Sequence, residues 1–280
     1  MLTRFAPAPT GWLHLGHVLN AEYVWGFLGQ PASPKLEERR RVILRIEDHD
    51  RERCRPEYEA GILEDLAWLG YQPDFPFVRQ SDRHAIYRSA VATLIAKGVV
   101  YGCDCTRKEI EQRTASVHAP ASGPQPPTEL AYDGYCRHRG LALDDGAGWR
   151  VRIDPGAETF DDRRLGPQAQ DPSRQCGDVL IRDRLGNWTY QFAVSVDDWD
   201  QRIDLVIRGE DLLPSTGRQI RLARLLGRPH PAVFMHHQLL MKSPSRKLSK
   251  SDGDTGIREL RARGWTPARV KAAARSGIQD

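Results

Sequence analysis

With 280 residues, 40% of them hydrophobic and 28% charged, the chain has the length and texture of one large globular domain or two modest ones around a sizeable core. A net charge of +4 and a pI near 8.8 admit nucleic acid as a partner without demanding it. No run approaches the ~18 apolar residues of a membrane span, the first ten residues carry no secretory apolar core, and an odd count of five cysteines argues against a disulfide framework. A cytoplasmic protein is expected.

In chain order, Leu2 to Phe5 is a short strand candidate, closed by Pro7 and Pro9. From Leu15 the apolar positions Leu15, Val18, Leu19, Val24, Phe27 and Leu28 predict a helix with a broad apolar face. Residues 29–41 are polar, with Pro31 and Pro34, and are expected to form a surface loop. "RVILRIED" (Arg41 to Asp48) predicts a strand ending in charge. Pro56 to Leu69 and Asp82 to Lys97 predict helices, stopped by Gly70 and Gly98.

The texture then changes. Residues 99–176 are rich in Gly, Pro and Asp and hold most of the cysteines; within them 118–129 is a Pro-rich loop and 161–175 is expected to be mobile. Strands return with "DVLIRD" and "WTYQFAVSVDD", joined by a turn through Gly186 and Asn187, and then "RIDLVIRG". Ser215 to Leu226 predicts a helix before Gly227, "AVFMHHQLLM" a strand, and "KSPSRKLSKSDGD" a polar loop. Alternating β and α in 1–100 and again in about 195–260 predict an α/β fold, a Rossmann-type parallel sheet split by an insert. The expected parts are 1–100, an insert over 101–180, 181–257, and a basic helical tail over 258–280. Ligands on such a sheet bind beyond the carboxyl ends of the strands. The opening stretch, "RIED", "VIRGED" and "KLSKS" all follow strands and are expected to share one crevice.

Two motifs carry phosphate chemistry. In "HLGH", His14 and His17 flank Gly16 where a turn meets a helix. A helix start offers free N–H groups and a positive dipole end, and two imidazoles add donors for a polyphosphate. Taken alone, a helix cap with incidental histidines explains the motif as well, and two histidines make too few ligands for zinc. In "KLSKS", Lys247 and Lys250 stand three apart on a Ser-rich loop, where ammonium groups can stabilise charge on a transferring phosphate; alone, a solvated basic loop is the commoner reading. Cys103 and Cys105, with Cys136 downstream, make three soft ligands, one short of a structural zinc site. Cys54 and Cys176 stand apart and are expected to be structural.

Together, "HLGH" and "KLSKS" resemble the HIGH and KMSKS signatures of class I aminoacyl-tRNA synthetases. "RFAPAPTGWLHLGH", "LRIEDHD" and "VIRGEDLLPSTGRQIRLARLLG" are similar to glutamyl-tRNA synthetases over about residues 1–255, the insert being the loosest part. The resemblance implies ATP-dependent activation of L-glutamate to glutamyl-adenylate and transfer of the glutamyl group to a tRNA hydroxyl, with magnesium accompanying ATP. It implies catalytic roles for His14, His17, Lys247 and Lys250, with ATP held by His14, Gly16, His17 and Lys250. It places L-glutamate at Arg4, Phe5, Ala6, Pro7, Ala8, Glu47, Tyr190 and Arg208. Arginine forks suit carboxylates, Glu47 suits the ammonium and Tyr190 can donate a hydrogen bond. Ala8 departs from the family's usual Ser, so a side-chain hydroxyl contact is lost there.

A short branch of the family, the glutamyl-queuosine tRNA(Asp) synthetases, has a Cys-x-Cys … Tyr-x-x-x-Cys zinc site, and Cys103, Cys105, Tyr132 and Cys136 match it. His138 is the rival fourth ligand. The chain ends about 30 residues after Lys250, where glutamyl-tRNA synthetases continue into an anticodon-reading part. The expected acceptor is therefore queuosine in the anticodon loop of tRNA(Asp), reached by a monomeric enzyme. The tail, with Arg258, Arg261, Arg263, Arg269, Lys271 and Arg275, is expected to present a solvated basic face or to hold RNA phosphates. The alternatives are a truncated glutamyl-tRNA synthetase that charges a tRNA 3′ end and a non-catalytic RNA-binding paralogue.

Overall fold

Leu2–Phe5 forms strand β1 in a computed structural model that describes residues 1–29, 39–50, 52–115, 130–243, 246–247 and 256–277. The first half continues with α1 (Leu15–Val24), β2 (Arg41–Ile46), α2 (Pro56–Leu69), β3 (Val78–Arg79), a 3-10 turn over Gln80–Arg83 and α3 (His84–Ala96). The middle contains β4 (Val100–Cys103), α4 (Arg107–Ala115), β5 (Gly148–Val151), β6 (Glu158–Asp162), β7 (Gly166–Gln170), α5 (Pro172–Gln175) and β8 (Val179–Arg182). The last part comprises α6 (Tyr190–Asp200), β9 (Leu205–Gly209), a 3-10 segment over Glu210–Ser215, α7 (Thr216–Leu225), β10 (Val233–His237), β11 (Met241–Ser243), β12 (Arg246–Lys247), α8 (Ile257–Ala262) and α9 (Pro267–Ser276).

β1, β2 and β3 pair in parallel in that order, and β9, β10 and β6 do the same, with β7 antiparallel at the outer edge. β1 lies beside β9: the Asp204 N–H donates to Leu2 O at 2.9 Å, and the Leu2 N–H donates to the Asp204 carboxylate at 2.8 Å. Helices cover both faces, and strand side chains alternate between them. Val42, Leu44, Ile46, Leu205 and Ile207 pack in the cluster that holds α1, α2 and α9. Ile43, Val206 and Phe234 pack in a second cluster with Phe160, Ile203 and Ile220. Two-sided burial of parallel strands is what produces apolar runs such as "VIL" and "LVI". A separate antiparallel sheet, β4-β5-β8, packs against α3 and α6.

The α/β expectation, with a parallel sheet, is borne out, and four local expectations are corrected. The first helix stops at Val24, and Phe27 is 54% exposed. "WTYQFAVSVDD" is a helix, α6. Phe192, Ala193, Val194, Ser195, Val196, Asp197 and Asp198 are all buried, and a helix buried nearly all round shows no amphipathic period to separate it from a strand. Residues 161–175, expected to be mobile, contain the β6–β7 hairpin and α5. Asp162 pairs with Phe234, so the end of the insert is hydrogen-bonded into the second half of the sheet. The "AVFMHHQLLM" strand ends at His237.

The basic tail is docked on the body. Val270 and Ala274 are buried. Arg275 pairs with the buried Glu22, Arg261 with Glu64 at 2.7 Å, Arg258 lies over Trp12, Arg269 over Trp265 and Lys271 over Tyr71. These five basic groups thus have intramolecular partners. The loops expected over 29–41 and 118–129 lie almost wholly outside the described residues. Among the described residues no helix is long and apolar enough to cross a membrane.

Candidate active site and candidate metal centre

A cavity of about 390 Å³ opens beyond the carboxyl ends of β1, β2, β9 and β10 and at the start of α1. Arg4, Ala6, His14, Gly16, His17, Glu47, Tyr190 and Arg208 line it. Eight predicted site residues from four separate stretches therefore meet in one crevice. Three others do not line it. Phe5 turns into the core beside Trp25, ring centroids 5.4 Å apart, Pro7 contributes its carbonyl to the Glu47 N–H at 3.0 Å, and Ala8 lies in the same turn. Of the second motif, Lys247 is placed by its backbone in β12, and Lys250 lies outside the described residues.

The histidines are built into the helix start. His14 is the N-cap of α1. Its Nδ1 accepts from the Gly16 N–H at 3.1 Å, and His17 Nδ1 accepts from the His14 N–H at 3.1 Å. In the neutral rings both protons then sit on Nε2. A Cβ at residue 16 would come within 2.9 Å of the His14 ring, which explains the glycine between them. The cap therefore also shapes a candidate phosphate cradle: capping orients the imidazoles, and the helix start lines the cavity.

Beneath the cavity lies a buried charge network. Arg45 is wholly buried and reaches Asp198 at 2.8 Å, Gln201 at 3.0 Å, Glu47 at 3.2 Å and Asp197 at 3.8 Å. Arg4 donates to Asp198 at 3.1 Å and to Ile207 O at 3.1 Å. Burial would raise the Asp198 carboxyl, but Arg4 and Arg45 hold it below the ordinary aspartate range. At Glu47 burial wins, and its pKa stays raised against the pull of Arg45, His49 and Arg4. Burial and the nearby Glu47 likewise push the Tyr190 phenol up.

Arg208 differs from its neighbours. It is 4% exposed, and its guanidinium donates to His236 Nε2 at 3.1 Å, Gln219 Oε1 at 2.6 Å and Thr216 Oγ1 at 2.8 Å. All three acceptors are neutral, and burial lowers its pKa. Among the described residues no carboxylate hydrogen-bonds this buried cation, and Asp198 acts on it only through space; a carboxylate entering the cavity would relieve the cost of burying it.

Arg45, Asp197, Asp198 and His236 beneath the cavity, and Asn20, Asp211 and His237 in its lining, were missed by the sequence reading. A charged residue inside a strand buried on both faces, as Arg45 is in "RVILRI", is the one signal that could have pointed to an internal network.

The second cluster lies in the insert. The thiols of Cys103, Cys105 and Cys136 lie within 4.8 Å of one another, with Cys105 Sγ and Cys136 Sγ 3.4 Å apart. The Tyr132 hydroxyl is 3.4 Å from Cys103 Sγ and 3.7 Å from Cys105 Sγ, and it accepts from the Cys136 N–H at 2.9 Å. Tetrahedral zinc at about 2.3 Å from sulfur requires ligand separations of about 3.7 Å, so the donor set fits. His138 is exposed and outside the cluster. Each sulfur also has a guanidinium donor: Arg150 at 3.3 Å to Cys103, Arg113 at 3.3 Å to Cys105 and Arg139 at 3.4 Å to Cys136. Burial raises the Cys103 pKa less than the Tyr132 and Arg150 contacts lower it.

This crevice, with a capped HLGH helix start at the end of a parallel sheet, defines a class I synthetase catalytic domain. Residues 1–279 match the family described as tRNA synthetases class I (E and Q), catalytic domain. A Glutamyl-Q tRNA(Asp) synthetase of Rhodobacter capsulatus is 38% identical over 97% of this chain and 98% of its own. One of Bordetella bronchiseptica is 43% identical over 89% of this chain and 75% of its own. A glutamate tRNA ligase of Elizabethkingia meningosepticum, solved in complex with its amino acid, superposes with a TM-score of 0.71 at 27% identity. That match covers 95% of this chain and 58% of the ligase. The chain belongs to the class I glutamyl-type tRNA synthetase family, in its Glutamyl-Q tRNA(Asp) synthetase branch.

Proposed function

We propose that this chain activates L-glutamate with ATP and transfers the glutamyl group to queuosine in the anticodon loop of tRNA(Asp). The observation that carries the glutamate part is the buried Arg208, whose hydrogen-bond acceptors among the described residues, His236, Gln219 and Thr216, are all neutral and which faces a cavity that also holds Arg4 and Glu47. Arg4 and Arg208 take the side-chain carboxylate, Tyr190 donates to it, and Glu47 holds the ammonium. The α-carboxylate then faces the start of α1.

Its oxygen attacks the α-phosphorus of ATP, and pyrophosphate leaves. His14, His17 and the Gly16 backbone hold phosphate oxygens, with Lys247 and Lys250 stabilising the developing charge and magnesium travelling with the nucleotide. In the second step an acceptor hydroxyl attacks the glutamyl carbonyl and AMP leaves. An unstacked anticodon-loop base suits such a pocket. The names of the relatives support queuosine as the acceptor.

Cys103, Cys105, Cys136 and Tyr132 hold one structural zinc ion, leaving no open position for substrate. The parts 1–100, 101–180, 181–257 and 258–280 act as catalytic half, metal-bearing insert, catalytic half and helical tail of one cytoplasmic monomer.

The test has two stages. Labelled pyrophosphate should exchange into ATP with glutamate present and tRNA absent. Radioactive glutamate should then label a fragment of tRNA(Asp) that contains the anticodon, and should not label queuosine-free tRNA. Label at the 3′-terminal adenosine would refute the acceptor and favour a truncated tRNA-charging enzyme. No exchange and no label would favour a non-catalytic paralogue.

A further inference from the structure

His236 is 0% exposed, sits on β10, does not itself line the cavity, and hydrogen-bonds Arg208, which does. Its Nδ1 lies 2.6 Å from Asp162 Oδ2, and the same oxygen accepts the His236 N–H at 3.0 Å. Asp162 Oδ1 accepts the N–H groups of Arg164 and Leu165, each at 2.9 Å. Both carboxylate oxygens are thus committed as acceptors, which keeps Asp162 ionised and places the imidazole proton on Nδ1. The bond made by one ring nitrogen determines what the other can do. Nε2 is left as an acceptor, and it receives the Arg208 Nε–H at 3.1 Å and the Thr216 hydroxyl at 3.1 Å. Thr216 Oγ1 in turn accepts from Arg208 Nη2, closing a ring of three side chains.

We propose that His236, locked in one tautomer by Asp162, is a positioning residue. It aims the Arg208 fork at the carboxylate of the amino-acid substrate without neutralising it. The inference rests on the glutamate reading above. A carboxylate at position 236 would hold Arg208 equally well but would satisfy its charge internally and compete with the substrate. A neutral acceptor orients the cation and leaves its charge for the ligand. The anion that fixes the imidazole comes from β6, the part of the insert hydrogen-bonded into the catalytic sheet, so the insert contributes to amino-acid recognition.

The Asp162→Asn variant tests the tautomer. An amide must turn an NH₂ toward N–H donors on one side or the other. If it faces Nδ1, the proton moves to Nε2 and points at Arg208. His236→Leu removes the acceptor, and His236→Gln restores a neutral one. In pyrophosphate exchange, Asp162→Asn and His236→Leu should raise the KM for glutamate by about tenfold or more, the scale of one hydrogen bond to a charged group. The KM for ATP should stay within about twofold, since the ring's hydrogen bonds join β6, β9, β10 and α7 rather than α1, and His236→Gln should recover part of the loss. Glutamate KM unchanged in both variants, or ATP and glutamate KM rising together, would overturn the role of His236 while leaving the proposed activity intact. A wild-type enzyme with no glutamate-dependent exchange would overturn both.

Discussion

Replacing Arg45 with Met tests whether the floor of the cavity is held by charge. The guanidinium is 0% exposed and serves Asp198, Glu47 and Asp197 at 2.8, 3.2 and 3.8 Å, so the substitution leaves three buried carboxylates with Arg4 and Arg83 as the remaining cations. Removing one partner of a buried ion pair costs about 3–5 kcal/mol, and that is the loss expected at pH 8. The pH dependence gives the sharper check. In the wild type the Asp198 pKa is lowered. Its stabilisation is therefore present above the unfolded value of about 4 and is lost as pH falls through the folded value. In the variant, Glu47, already raised in the wild type, loses its main cation and rises further, and Asp198 loses one of the two cations that hold it down and moves up. The folded variant then holds a proton that the unfolded chain has released. Its stability falls as pH rises across that window, at up to about 1.4 kcal/mol per pH unit for each such proton. Urea unfolding of both proteins at pH 5.5, 6.5 and 8 should show the gap widening with pH. A gap below about 1 kcal/mol at pH 8, or one that does not change with pH, would refute the reasoning.

Three further outcomes are expected. Asp65 on α2 is buried, its Oδ2 has no hydrogen-bond partner among the described residues, and burial followed by Glu64 raises its pKa to about 6. Its protonated form favours the fold below the unfolded pKa, and that contribution is lost as pH rises through about 6. Asp65→Asn should therefore stabilise by about 1–2 kcal/mol at pH 8 and by little at pH 4, measured by urea unfolding. One equivalent of zinc should co-purify with the chain. Elemental analysis should show it depleted in Tyr132→Phe and retained in His138→Ala, and the reverse pattern would transfer the fourth ligand to the histidine. Arg275→Met should lower stability by about 2 kcal/mol, because Glu22 is fully buried while Arg275 is half-exposed and partly screened; an unchanged unfolding midpoint would show that the tail is not held by this pair.

The residues proposed to touch ligand were largely legible in the chain itself. "HLGH" announces a helix start because capping is local: His14, Gly16 and His17 satisfy one another within four positions, whatever the rest of the fold does. The parallel sheet was legible for a similar reason, since strands buried on both faces must be apolar along short runs. Arg4, Glu47, Tyr190 and Arg208 were reached through a family resemblance, and the fold places all four in one cavity. What supports them was hidden. Asp197 and Asp198 lie in α6, a segment whose apolar, β-branched run looks like a strand until its burial on every side is known. Asp162 lies in a Gly- and Asp-rich stretch expected to be mobile, and only its pairing with β10 makes it the partner of His236. The three acceptor atoms around the Arg208 guanidinium come from β10 and α7, at sequence separations of 8 to 28 residues. A local motif carries its own geometry in its spacing. A buried charge does not, because its cost is met by groups that only the tertiary structure brings within reach, and no periodicity along the chain records which ones they are.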